Sequence, residues 1–299
     1  MNCMVDVLIP VYNGAKYIER CIRSLLRQTY QYINIIVLDD GSIDDSLSII
    51  QRLSKEDGRI KIHTKPNEKN VSAARNYLLN KIESDYFIFV DVDDVVSPYY
   101  IEGLMKALKE TNSAMACCEY TIFKSFLSHS HKLKGLKVYN SNEAIPEFVL
   151  GGRGHYMLWN KLIKTSLIQG IRFNKNVGYG EDMFFILDVM YSNNVNVASI
   201  KNKFYYYKWF NYKSISKGGI NNHKKIFLET LIKYEKEKRY GDNTRVISTW
   251  IYLTATYFHV LSRFKKDEKA YLLYLKSLRN ERKKFLKEEV GRLVSTGRL

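Results

Sequence analysis

The chain has 299 residues, 45% of them hydrophobic and 26% charged, which suits a soluble globular protein of one large or two ordinary domains. Its formal charge is +16, yet residues 1–120 carry 14 Lys and Arg against 17 Asp and Glu, net −3, leaving 33 against 14, net +19, for the remainder. The four cysteines (Cys3, Cys21, Cys117, Cys118) contain no CxxC and exclude a cysteine-metal site of ordinary spacing; they read as reduced thiols of a cytosolic protein, and the N-terminus lacks the pattern of a secretory signal.

Val5 to Ile9 is a β-branched run stopped by Pro10 and reads as a first strand, with Val11-Tyr12-Asn13-Gly14 as the turn after it. Ile18, Cys21, Ile22, Leu25 and Leu26 then recur at helical spacing, with Arg20, Arg23 and Arg27 off the stripe. Ile33 to Leu38 is a second strand running into Asp39-Asp40-Gly41-Ser42, and Asp44 and Asp45 suit the first turn of the next helix, whose stripe is Leu47, Ile50 and Leu53. Ile60 to Ile62 is a short third strand, Lys65 to Asn70 a polar loop and Val71 to Leu79 a third helix.

Tyr86 to Val90 is a fourth strand, and it ends in Asp91-Val92-Asp93-Asp94, three carboxylates within four residues. Gathering carboxylates is costly unless a cation neutralises them, and Asp is a hard oxygen ligand suited to Mg²⁺ or Mn²⁺. The alternative is a solvated loop whose acids cap the next helix. Strand and helix alternate with the βαβ rhythm of a parallel sheet, which brings Tyr12-Asn13, Asp39-Asp40 and the Asp91–Asp94 cluster to carboxyl ends of strands, where open α/β sheets bind ligands.

The chemistry of that edge fits a nucleotide. Tyr12 can stack on a base, Asp39 can accept from a base N–H or a ribose hydroxyl, and Asp91, Asp93 and a metal can hold ribose and diphosphate. Neither a GxGxxG nor a Walker A loop is present, so basic side chains such as Arg75, with the metal, would have to neutralise the diphosphate.

Ile101 to Leu108 reads as a helix and Ala114 to Cys118 as a strand, followed by an irregular basic stretch, Lys124 to Lys137, whose His129 and His131 lack a third ligand nearby. Ala144 to Leu150 reads as a short helix and Gly151 to Gly154 as a flexible turn. Trp159 is a core aromatic or a sugar platform. Glu181 and Asp182 precede the apolar face of Met183, Phe184, Leu187 and Met190, and on position alone they read as a helix N-terminal cap. Phe204 to Phe210 is an aromatic strand leading into Asn211–Gly219; the plain alternative is an edge strand and linker.

Residues 222–299 read as helical. Val246–Ser262, at 17 residues with several Ser and Thr, reads as a packed amphipathic helix rather than a membrane span. Lys265 to Arg298 alternates basic and apolar residues, which suits an anionic membrane surface, a helical pair packed on the preceding domain or a homodimer contact. No nucleic-acid-binding motif appears, and none is expected of the acidic N-terminal half.

Several of these stretches, in this order, resemble the family 2 glycosyltransferases of GT-A fold: Val5-Asp-Val-Leu-Ile-Pro-Val-Tyr-Asn13, Leu25-Leu-Arg-Gln-Thr-Tyr30, Ile36-Val-Leu-Asp-Asp-Gly-Ser42, Val71-Ser-Ala-Ala-Arg-Asn76 and Phe89-Val-Asp-Val-Asp-Asp94. The likeness continues more weakly through Trp159-Asn-Lys-Leu162 and Gly180-Glu-Asp-Met-Phe184. It implies a Rossmann-like, mostly parallel sheet flanked by helices, with a catalytic domain over 1–220 (nucleotide half 1–100, acceptor half 101–220) and a basic helical region over 221–299. It implies an inverting transfer from a nucleoside diphosphate sugar, UDP-linked in most relatives, to a saccharide or lipid-linked saccharide of a surface glycan such as capsule or cell wall. Pro10, Tyr12 and Asp39 would surround the base, with Asn13, Asp40 and Val92 in the same pocket and Arg75 near the nucleotide. Asp91 and Asp93 would be the acid-x-acid pair on ribose and on Mn²⁺ or Mg²⁺, with Asp94 sharing the metal. Glu181-Asp182 would be the acceptor-side acids, Asp182 serving as general base. In this family the segment after the aromatic strand is often a loop closing over the donor, which would let Lys208, Ser214 and Ser216 reach the diphosphate. Such an enzyme would be cytoplasmic, or peripheral on the inner face of the membrane. The rival readings are a non-catalytic basic nucleic-acid- or membrane-binding protein and an acid-x-acid phosphatase; the latter fold puts its pair on the first strand followed by Thr, whereas here Val95 follows the fourth.

Overall fold

A computed structural model of the chain describes residues 3–122, 127–141, 143–145, 157–207 and 230. The chain divides into two compact units, Met1–Ser141 with Arg153–Asn211, and Asn142–Gly152 with Tyr212–Leu299. Most of the second unit, including the helices expected beyond residue 222, and the loop expected over Asn211–Gly219 lie outside the described residues, so the architecture below is that of the first.

Among the described residues its core is one sheet of nine strands. β1 (Val5–Val11), β2 (Ile33–Asp39), β3 (Ile60–Thr64) and β4 (Tyr86–Phe89) lie in the order β3-β2-β1-β4, all parallel. The order continues through β8 (Lys161–Lys164), β6 (Met115–Thr121), β9 (Val197–Tyr206) and β5 (Val95–Val96), with β7 (Lys137–Tyr139) also on β9. The mostly parallel sheet expected from the sequence holds for the first four strands. In the second half, β8 runs antiparallel to both β4 and β6, while β6 and β9 are parallel. The aromatic strand begins earlier than its aromatic run suggests. It is no edge strand, because β9 pairs with β6, β5 and β7.

The helices follow their apolar stripes. α1 (Ile18–Leu26) buries Ile18, Cys21, Ile22 and Leu25. Off that stripe, Glu19 and Arg23 join Arg52 and Glu56 of α2 (Ser46–Glu56) in an exposed ion-pair network that solvent screens and that adds little stability. α3 (Val71–Leu79) starts where the Asn70 side chain accepts from Ala73 N at 3.1 Å. α4 (Tyr100–Thr111) carries Gly103, where a Cβ would sit 2.3 Å from the Phe204 ring, so only glycine lets β9 pack this closely. Trp159 is 4% exposed and stacks on Tyr205 at 4.3 Å, which makes it a core aromatic. Cys21, Cys117 and Cys118 are buried and all four cysteines are free thiols.

The edge opposite the expected site is held by one buried carboxylate. Asp6 is fully buried and accepts from Glu83 N (2.8 Å), Ser84 N (3.0 Å), Ser84 Oγ (2.6 Å) and Asn34 Nδ2 (2.8 Å), fixing the turn into β4. Asp6→Ala would orphan these donors, and chemical denaturation should show a loss of about 2–4 kcal/mol; a loss below about 0.5 kcal/mol would contradict this account of the turn.

Candidate active site

The strand order reverses at β1: the chain steps outward to β2 and β3, then returns to its other side as β4. The carboxyl ends of β1, β2 and β4 therefore open on one crevice, the usual ligand position in such sheets. Val11 pairs with Asp39, and Asp40 N donates to Val11 O at 2.7 Å, which sets the first two polar clusters side by side.

The loops after β1 and β2 are stapled together. Asn13, with φ 51, donates its N–H to Ser42 Oγ (2.9 Å) and accepts at Oδ1 from Ile43 N (2.9 Å). Gly14 N donates to Ser46 Oγ (2.8 Å) and Ala15 N to Asp44 Oδ2 (3.0 Å). Asn13 thus shapes the pocket, and Asp44 serves the loop as well as the helix start. A Cβ on Gly14 would meet Val92 Cγ2 at 2.8 Å, so glycine lets the first loop lie against the acid turn. Tyr12 is 50% exposed, its ring available for stacking, beside the half-buried Pro10. Asp39 is 3% exposed; Oδ2 accepts from Ser42 N (3.2 Å), while Oδ1 is buried with no partner. A dry, unpaired carboxylate oxygen is costly by itself and suits an incoming N–H or O–H donor. Asp40 faces Lys65, whose Nζ lies 2.5 Å from Oδ1, so its charge is already answered within the protein.

The acid-x-acid turn is fastened from three sides. Tyr205 of β9 accepts from Asp91 N (3.1 Å) and donates to Asp94 Oδ2 (2.9 Å). Arg20 of α1 donates to the Asp93 carbonyl, and Cys21 Sγ to the Asp91 carbonyl at 3.7 Å. Asp94 is fully buried, and its bond to Tyr205 gives it a part in building the turn. Among the described residues no group of three or more His, Cys, Asp or Glu is arranged to hold a metal ion. The half-buried Asp91 and Asp93 nevertheless fit a Mg²⁺- or Mn²⁺-type site, which takes one or two protein carboxylates and completes its shell with phosphate oxygens and water. His129 bonds the Leu127 carbonyl and His131 packs beside Tyr99.

α5 (Glu181–Asn193) starts after Gly180, whose φ of 73 turns the chain in without a capping side chain. Glu181 is 9% exposed and pairs with Arg75 of α3, Nη1 to Oε1 at 2.5 Å. Arg75 Nη2 lies 3.7 Å from Asp91 Oδ1, and its guanidinium stands 5.6 Å over the Phe173 ring. Burial opposes the Arg75 charge, but Glu181, Asp91 and Asp182 together raise its pKa. Asp182 accepts from Met183 N at 2.9 Å; burial, then the Glu181 charge, pushes its carboxyl up to about 7. Asp91 is pushed up to about 6 by burial, against the pull of Arg75. Lys161 on β8, fully buried, is lowered to about 8 by burial.

Tyr205, Arg20, Ser46 and Lys65 escape the motif reading, and Ser42 stands in its motif without the loop-stapling role that the structure gives it. Arg20 is marked in the sequence only as an arginine off the α1 stripe, and Tyr205 is one of three consecutive tyrosines.

This fold is an α/β sheet with a topological switch point at β1, whose crevice carries paired carboxylates, with a second acid pair on another element. The chain belongs to glycosyl transferase family 2, whose family model matches residues 6–184. It is 32% identical over 184 residues to glycosyltransferase GlyA of Streptococcus pneumoniae, a match covering 57% of this chain and 26% of that one, so the chain spans about a quarter of that relative's length. Among solved structures it is similar to S. aureus TarS in complex with UDP-GlcNAc (TM-score 0.66, 18% identity, 83% of this chain and 70% of that one). It is also similar to mannosyltransferase PcManGT from Pyrobaculum calidifontis in complex with GDP-Man and Mn²⁺ (TM-score 0.60, 14% identity, 96% and 84%). These two likenesses establish the GT-A fold.

Proposed function

We propose that the protein moves a sugar, with inversion, from a nucleoside diphosphate sugar, UDP-linked, to a hydroxyl of a saccharide or lipid-linked saccharide in surface glycan synthesis. The observation that carries this reading is the unpaired, buried Oδ1 of Asp39 beside the exposed Tyr12 ring, on the same sheet edge as Asp91 and Asp93. Tyr12 stacks on the base, Asp39 accepts its N–H, and the acid turn meets ribose and diphosphate. Asp91 and Asp93 would hold Mn²⁺ or Mg²⁺, which when bound supplies positive charge to the departing diphosphate. Asp94 is left to the turn. Asp182 takes the proton of the acceptor hydroxyl, since a sugar hydroxyl is a poor nucleophile at neutral pH. A lipid-linked acceptor matches the net +19 of residues 121–299, which would hold the protein peripherally at an anionic inner membrane face. Among the described residues no helix is long and apolar enough to cross a membrane. Family membership argues against the non-catalytic binding reading.

Thermal shift in Mn²⁺ tests the donor pocket. UDP should raise Tm more than GDP, because only the protein that binds the nucleotide gains stability by mass action. Asp39→Ala should weaken UDP binding by about 10–100-fold, the worth of a hydrogen bond to a charged group. An equal shift in the variant, or none with any nucleotide in the wild type, would overturn the assignment.

A further inference from the structure

The acid pair at the start of α5 need not be two interchangeable bases. Successive residues of a helix point about 100° apart, so Glu181 and Asp182 cannot reach the same point. Glu181 is committed to Arg75 at 2.5 Å, and Arg75 reaches on to Asp91 at 3.7 Å. The start of α5 has no side-chain cap, and this buried pair ties its first turn to α3. We infer that Glu181 is a positioning residue: gripped by Arg75, its carboxylate fixes the first turn of α5 and so aims Asp182, and it links the base to the donor-side acid Asp91.

The inference rests on the transferase reading above and divides labour inside it. Arg75 suits the task because its planar fork can engage two acids at once, which a lysine ammonium on a flexible stem does less well. The arrangement also sets the charge around Asp182. The groups facing it are Glu181, Arg75 and Asp91, with the buried Lys161 on β8 and the Tyr179 hydroxyl. Of the like charges around Asp182, Glu181 has the larger influence, after burial, and it raises the basicity of Asp182.

The test is a double-substitution cycle read in kcat, donor KM and pH profile. Glu181→Gln should lower kcat about tenfold through misalignment of the base, with donor KM changed less than about twofold. Its acid limb should move to lower pH, because a like charge beside Asp182 is gone. Arg75→Lys should lower kcat to a similar degree, and the double variant should be no slower than the worse single, as expected of residues acting as one unit. In the metal-free protein the same pair should be non-additive in Tm. Wild-type kcat in Glu181→Gln, an unmoved acid limb, or kcat losses that multiply would overturn the inference. Should Glu181→Gln unfold at assay temperature, Glu181→Asp decides: a lower kcat with the acid limb in place supports the inference, and wild-type kcat rejects it. A wild type that turns over no nucleotide sugar in Mn²⁺ would instead reject the transferase reading.

Discussion

Asp93→Ala is expected to cut sugar transfer by about 10²–10³-fold or more, because its carboxylate would hold the cation whose charge offsets that of the departing diphosphate, and losing one preorganised charge of that kind has this order of cost. Asp93 sits in a turn whose carbonyls are held by Arg20 and Cys21 and whose flanking residues are held by Tyr205. These contacts on the turn remain in the variant, so it should still fold. Asp94→Ala should behave in the opposite way. It leaves the Tyr205 hydroxyl buried without its acceptor and should cost about 1–3 kcal/mol in stability, with any loss of activity following from the disturbed turn. Kinetics and calorimetry on the two variants separate these roles. Near-wild-type turnover by Asp93→Ala would remove Asp93 from the site.

Asp182→Asn is expected to lower kcat by about 10²–10⁴-fold, the typical contribution of a positioned general base, with donor binding retained. The pH profile follows from the direction of the Asp182 shift. Burial and then the Glu181 charge push its carboxyl up to about 7, and only the deprotonated form can accept the acceptor proton. The rate should therefore be full above that value and fall as pH drops through it, well above the range in which an ordinary carboxylate titrates. The variant's residual rate should lose this limb. A wild-type rate that stays flat down to pH 5, or an Asp182→Asn variant with unchanged kcat, would exclude Asp182 as the base.

Much of the donor side was legible in the sequence. The β-branched runs, the helical stripes and the polar clusters at strand ends are local signals, and they place Tyr12, Asp39 and Asp91 on one edge because a βαβ chain has little choice of path. The second half of the sheet was less legible. β8 and β9 pair with strands far away in sequence, and their mixed directions follow from tertiary packing rather than from periodicity. The contacts that tune the site were least legible of all. Tyr205 lies 114 positions from Asp91, and Glu181 lies 106 from Arg75. Nothing in the spacing of either pair announces a bond. Motif reading alone placed Asp94 at the metal and Glu181 beside the base, and it gave no sign that the Tyr205 hydroxyl bonds the one and the Arg75 guanidinium pairs with the other.

The most direct test of the central claim is the initial rate of nucleoside diphosphate release from a panel of UDP- and GDP-sugars. It is measured with Mn²⁺ and with chelator, for the wild type, Asp93→Ala and Asp182→Asn. The account predicts metal-dependent release from a UDP-sugar by the wild type and near-complete loss in both variants. Release that ignores the chelator, or that survives in both variants, would contradict it.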